Sequence, residues 1–76
     1  MTTQRFPLKG EFVELNVLLK LLALAPSGGA AKAMITGGAV SVDGLTETRI
    51  RRKLRDGNRV RVADAEVLVT AEDTAL

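Results

Sequence analysis

Leu15, Leu18, Leu19 and Leu22 recur at the i, i+3, i+4, i+7 spacing of an amphipathic helix. The spacing predicts a first helix over residues 11–24, with its clearest part beginning near Glu14. Val17 and Leu21 widen the apolar stripe, so this helix is expected to be heavily buried. Lys20 lies beside the stripe, where its stem can pack while its ammonium reaches solvent. Glu11 and Glu14 fall where the positive end of a helix dipole favours carboxylates. Pro26 is the predicted stop, because it pushes Ala25 out of the helical region. Ser27 then offers a hydroxyl to cap a second helix, running from Gly28 or Gly29 to Thr36. Ala30, Ala31 and Ala33 add little bulk, so the second helix can lie close to the first. Gly37 and Gly38 end it, one of them in a left-handed conformation.

After Gly38 the period changes from 3.6 to two. Val40 and Val42 alternate with polar neighbours, and Asp43-Gly44 is the dipeptide of a type I′ hairpin. Residues 45–48 are expected as an irregular return strand, and Asp56-Gly57 marks another turn. In residues 58–62, Val60 and Val62 should face inward while Arg59 and Arg61 face out. Residues 66–70 form the last expected strand, followed by a loose acidic end over 71–76. Residues 1–10 are read as irregular at first. Pro7 lacks an amide donor, so that piece suits an edge strand and not a central one. Two helices followed by three or four strands predict an α+β fold, an αα-hairpin packed on a small bent antiparallel sheet. Residues 1–76 form one domain, with a core over about 12–70 and frayed ends.

Composition removes most chemistry. With no cysteine and no histidine, disulfides, thiol catalysis, the usual zinc sites and the usual general base all go. The serines and threonines have nothing placed to activate them, so no enzyme, no cofactor and no metal site is expected. The longest apolar run, residues 21–25, is too short to span a bilayer, and no secretory leader stands at the N-terminus. A reducing cytoplasm is the expected location. Phe6 and Phe12 are the only aromatics, which argues against an extended platform for stacking bases.

Charge changes the picture more than composition does. Residues 1–48 carry four basic and four acidic groups, whereas residues 49–61 carry seven basic groups against one acidic. Residues 62–76 carry four acidic groups. Such a block is the sequence form of an electrostatic footprint for a polyanion. If the run is extended, Arg49, Arg51 and Lys53 share one face, and Arg52 and Arg55 add to the same patch. Guanidinium groups meet phosphate oxygens in a bidentate fork. The competing reading pairs these cations with Glu47, Asp56 or the acidic end. Lys32 should project from the second helix and can extend the patch. Ser27-Gly28-Gly29 lacks the lysine and spacing of a P-loop. It is read as a cap whose backbone amides can meet one phosphate.

Taken as a spaced set, Leu18-Leu19-Lys20, Ser27-Gly28, Ala31-Lys32, Ile35, Gly38, Val40, Val42-Asp43-Gly44, Glu47-Thr48-Arg49, Arg51, Lys53 and Gly57 resemble the RNA-binding domain named after ribosomal small-subunit protein S-four. The small free-standing bacterial members are the most similar, and the resemblance covers about residues 12–62. It implies an αL-type fold whose RNA face is made by the second helix and the basic loop. Carried over residue by residue, that face is Lys32, Arg49, Arg51 and Lys53, with Lys20 also fitting the pattern. Arg52 and Arg55 are added on charge alone. Many members place an arginine directly after the capping serine, where this chain has Gly28 and Gly29. That difference shifts weight from the helix start to the basic run. The implied partner is structured RNA, ribosomal or transfer RNA, in a ribosome-associated or RNA-processing setting, recognised through backbone and shape. The alternative is a protein-interaction subunit docking an acidic partner through the same basic face.

Overall fold

The leucine stripe does form a helix, but a shorter one than the periodicity predicts. The computed structural model describes residues 2–71, so the expected loose end over 72–76 lies outside the described residues. Helix α1 spans Leu15–Leu21. Residues Val13–Glu14 are taken into a short strand, β2, instead of the helix. Glu14 therefore stands at the cap position without a side-chain capping bond, and no carboxylate lies in the first turn. The other end also differs from expectation. Ala23 adopts φ 57°, its amide donates to the Lys20 carbonyl, and the Leu24 amide donates to the Leu19 carbonyl. Those two bonds form a Schellman motif with alanine in the left-handed position usually taken by glycine. The helix thus stops well before Pro26. Leu15, Leu18 and Leu19 are fully buried, as the stripe requires. Leu21 is 63% exposed, so it does not widen the buried face.

Helix α2 spans Gly28–Thr36, and the Ser27 hydroxyl accepts from the Ala30 amide at 3.1 Å. It ends with the same motif as α1. Here Gly38 holds the left-handed position at φ 84°, and the amides of Gly38 and Ala39 donate to Ile35 and Met34. Ala31 and Ile35 turn inward to pack on α1.

Strands β3 (Val40–Val42) and β4 (Leu45–Thr46) make the hairpin. Both turn residues have positive φ, 52° at Asp43 and 84° at Gly44, as a type I′ turn requires. Strand β5 is Lys53–Leu54, β6 is Arg59–Val62 and β7 is Ala65–Thr70. Strand β1, Thr2–Pro7, precedes them all. The five-stranded sheet runs β1-β7-β6-β3-β4, and β2-β5 forms a separate two-stranded ladder. The sheet is mixed and not antiparallel, because β1 pairs parallel to β7 from Thr2↔Ala65 to Pro7↔Thr70. Parallel neighbours need a long crossover, and here the whole intervening chain supplies it. Pro7 sits on the edge strand, where its missing donor costs no ladder bond. Along β6, Val60 and Val62 are buried and Arg59 and Arg61 exposed. The core is one aliphatic cluster between the helices and the sheet, joining Leu15, Leu18, Leu19 and Ile35 to Val40, Val60, Val67 and Val69.

Candidate nucleic-acid interface

The basic run is not one extended strand. Residues 49–52 form a turn, in which the Arg52 amide donates to the Arg49 carbonyl at 3.3 Å, and only Lys53–Leu54 is extended. Period-two spacing is therefore not what groups the cations. They are brought together by the turn, and Arg49, Arg51, Arg52, Lys53 and Arg55 line one shallow concavity of about 510 Å³.

Three attachments hold this loop. At its start, the buried Glu47 carboxylate accepts the Arg49 amide at 3.0 Å and the Arg49 Nε and Nη2 at 2.9 and 3.0 Å. It also accepts Arg52 Nη1 at 2.6 Å. The Arg49 guanidinium and amide, helped by Arg52 and opposed by burial, hold the Glu47 pKa down at about 2. In the middle, the Arg52 and Ile50 carbonyls accept the amides of Leu15 and Asn16 at 2.9 and 3.1 Å. Those are orphan donors at the first turn of α1, so the helix end and the loop satisfy each other. The β2–β5 ladder pairs Val13 with Leu54 and Glu14 with Lys53, and Leu54 is fully buried. At the far end, Asn58 Oδ1 accepts the Arg55 amide at 2.6 Å, and Asn58 Nδ2 donates to Asp43 Oδ2 at 2.7 Å. Asp43 Oδ1 also accepts the Arg59 amide at 2.9 Å. The Asp43-Gly44 turn is thus tied through Asn58 to the end of the basic run.

The cations fall into distinct groups. Arg51, Lys53 and Arg55 are exposed and make no carboxylate pair among the described residues. Arg49 is paired to Glu47 yet keeps a side chain 72% exposed. Arg52 is paired to the same carboxylate and only 29% exposed, so it largely braces the loop. Lys20 and Lys32 are exposed on the two helices and do not line the concavity. Ser27 is occupied as a cap. Gly28 and Gly29 sit on the exposed start of α2, and a Cβ at Gly28 would meet nothing within 4 Å.

One residue of the site escaped the sequence reading. Phe12 lies with Lys53 Nζ 4.9 Å and Arg55 Cζ 5.5 Å from its ring centroid. Extending the Val13↔Leu54 register by one step sets Phe12 opposite Arg55 and diagonal to Lys53. A two-residue ladder is too short to announce that pairing in the sequence. Among the described residues no cluster of carboxylates stands close enough to hold a metal ion, and no helix is long and apolar enough to cross a membrane.

Comparison with known proteins agrees with this architecture. The family model of the S4 domain matches residues 6–70. YbcJ of Escherichia coli (strain K12), whose name makes it a candidate RNA-binding protein, is 46% identical over 63 residues. That match covers 83% of this chain and 90% of YbcJ. YbcJ of Shigella flexneri matches to the same extent, 46% over 63 residues. The solution structure of Escherichia coli YbcJ superposes with a TM-score of 0.66 at 44% identity, covering 93% of this chain and 89% of that one. It is described as revealing an αL motif involved in RNA binding. With its paired helices on a short mixed sheet and the S4 model matched from Phe6 to Thr70, the chain belongs to the S4 domain family.

Proposed function

We propose that this protein binds structured RNA, ribosomal or transfer RNA, in the cytoplasm, mainly through backbone and shape. The observation that carries this reading is the basic loop. Arg51, Lys53 and Arg55 stand exposed beside Arg49 on a segment held at its start, middle and end. A loop backbone already fixed in place loses little freedom when its cations meet phosphates, so more of the attraction remains as affinity. Lys32 and Lys20 extend the face at its margins. The exposed start of α2, at Ser27, Gly28 and Gly29, offers backbone amides and the positive end of a helix dipole to one phosphate. The name and motif of Escherichia coli YbcJ support RNA as the partner.

The test is crosslinking in cells followed by sequencing of the bound RNA, repeated with Arg51, Lys53 and Arg55 all changed to alanine. Recovery of defined structured RNAs by the native protein, lost in the variant, is the expected result. Partners that persist after nuclease treatment, with no RNA recovered, would instead favour docking to an acidic protein.

A further inference from the structure

Both aromatic residues of the chain, Phe6 and Phe12, line a single apolar groove of about 640 Å³, together with the exposed Leu21. The groove adjoins the basic loop, because the Phe12 ring that walls it also carries Lys53 and Arg55 at 4.9 and 5.5 Å. Lys9 adds a third cation to its lining. A ligand that fits must present an apolar body beside an anionic group. A second copy packed groove to groove does not, since it would bring the same three cations against the rim. A nucleotide does: the base enters the groove against Phe12 while its phosphate meets Lys53 and Arg55.

We infer that this groove takes one unpaired base of the bound RNA, so that the protein prefers a duplex interrupted by a bulge or splayed nucleotide over a continuous one. The inference rests on the RNA-binding reading above and adds a substrate class to it. The scarcity of aromatics argues against a platform spread over the surface, and it leaves untouched a single ring at the mouth of a groove. Stacking on one aromatic ring is worth about fivefold or more in affinity per base, a preference that backbone contacts alone would not produce.

The probes are two RNA duplexes of equal length, one perfectly paired and one with a single-nucleotide bulge. The native protein should bind the bulged duplex about fivefold more tightly or better. Phe12→Leu, which keeps an apolar side chain but removes the ring, should erase that difference, lowering affinity for the bulged duplex by about fivefold more than affinity for the perfect one. Equal binding of both duplexes by the native protein would overturn the inference and leave the RNA-binding reading standing. Binding to neither would overturn both. Equal weakening of both duplexes by Phe12→Leu would mean that the ring only supports the two cations, and would also overturn it. Self-association at micromolar concentration that Leu21→Glu abolishes would assign the groove to a second copy instead.

Discussion

The basic loop and the start of α2 both offer groups suited to phosphate, and the chain holds them in opposite ways. The loop is braced by a buried carboxylate, by two carbonyl–amide bonds to α1, by the buried Leu54 and by the Asn58–Asp43 link. The start of α2 is open: one hydroxyl cap, two exposed glycines and Lys32 alone as its charge. Neither Gly28 nor Gly29 has a positive φ, and no neighbour would collide with a Cβ at Gly28. Bracing a segment takes burial and hydrogen bonds, and in this molecule both are concentrated on the loop that carries the cations and not on the helix end. Affinity for a polyanion should therefore reside in the loop.

The largest expected effect comes from removing the brace. Leu54→Ala takes a fully buried side chain from beneath the loop and should cost about 2–5 kcal/mol of stability. Thermal or urea unfolding measures it. A loss of only a few tenths would mean that the loop is not anchored through Leu54. Next come the cations themselves. Arg51→Ala, Lys53→Ala and Arg55→Ala should each weaken RNA binding by up to about tenfold with little change in stability, since a charge-assisted bond is worth about 1.5 kcal/mol. Lys20→Ala and Lys32→Ala should each cost less. An ordering reversed in favour of Lys32 would move the face to α2.

Glu47 gives a third test through pH. Its pKa is lowered in the folded protein from 4.5 to about 2, so the unfolded chain takes up the proton first as pH falls. The stability contributed by its bonds to Arg49 and Arg52 is therefore complete above about pH 4.5 and is lost as pH falls toward 2. The stability gap between the native protein and Glu47→Gln should narrow through that window, followed by urea midpoints at stepped pH. A gap independent of pH would contradict the assignment of Glu47 as the loop's anchor. The smallest effect is at the helix start. Gly28→Ala should raise stability by up to about 1 kcal/mol, because glycine is a poor helix residue and no neighbour demands it. RNA affinity should fall less than for any single loop cation. A larger fall would show that backbone approaches phosphate closely there.

Much of the fold was legible because its signals are local. The Ser27 cap, the Asp43-Gly44 turn, the left-handed Gly38 and the in-out alternation along β6 each depend on a few adjacent residues. What was hidden depends on distant pairing. Nothing within residues 1–10 announces a parallel partner at Ala65–Thr70. The early end of α1 was hidden for another reason: alanine at Ala23 takes a conformation that sequence reading reserves for glycine. The candidate site was half legible. Its cations stand in the sequence as a block, and their competition with Glu47 was foreseeable, but not which of them it would take. Arg49 and Arg52 pair with it while Arg51, Lys53 and Arg55 do not, and only the turn at residues 49–52 decides that. Phe12 enters the site through a ladder of two residues per strand, below the length at which alternation can be read.

If the braced loop carries the electrostatic attraction to RNA, the salt dependence of affinity must reveal it. The decisive comparison is between the native protein and the Arg51→Ala/Lys53→Ala/Arg55→Ala variant, with folding of both checked by circular dichroism. Each phosphate left without its cation should lower the log–log slope by about 0.7–0.9. The expected result is weaker binding and a slope shallower by about two to three in the folded variant, with each of the three cations meeting one phosphate. An unchanged slope and affinity would place the RNA face elsewhere on the molecule.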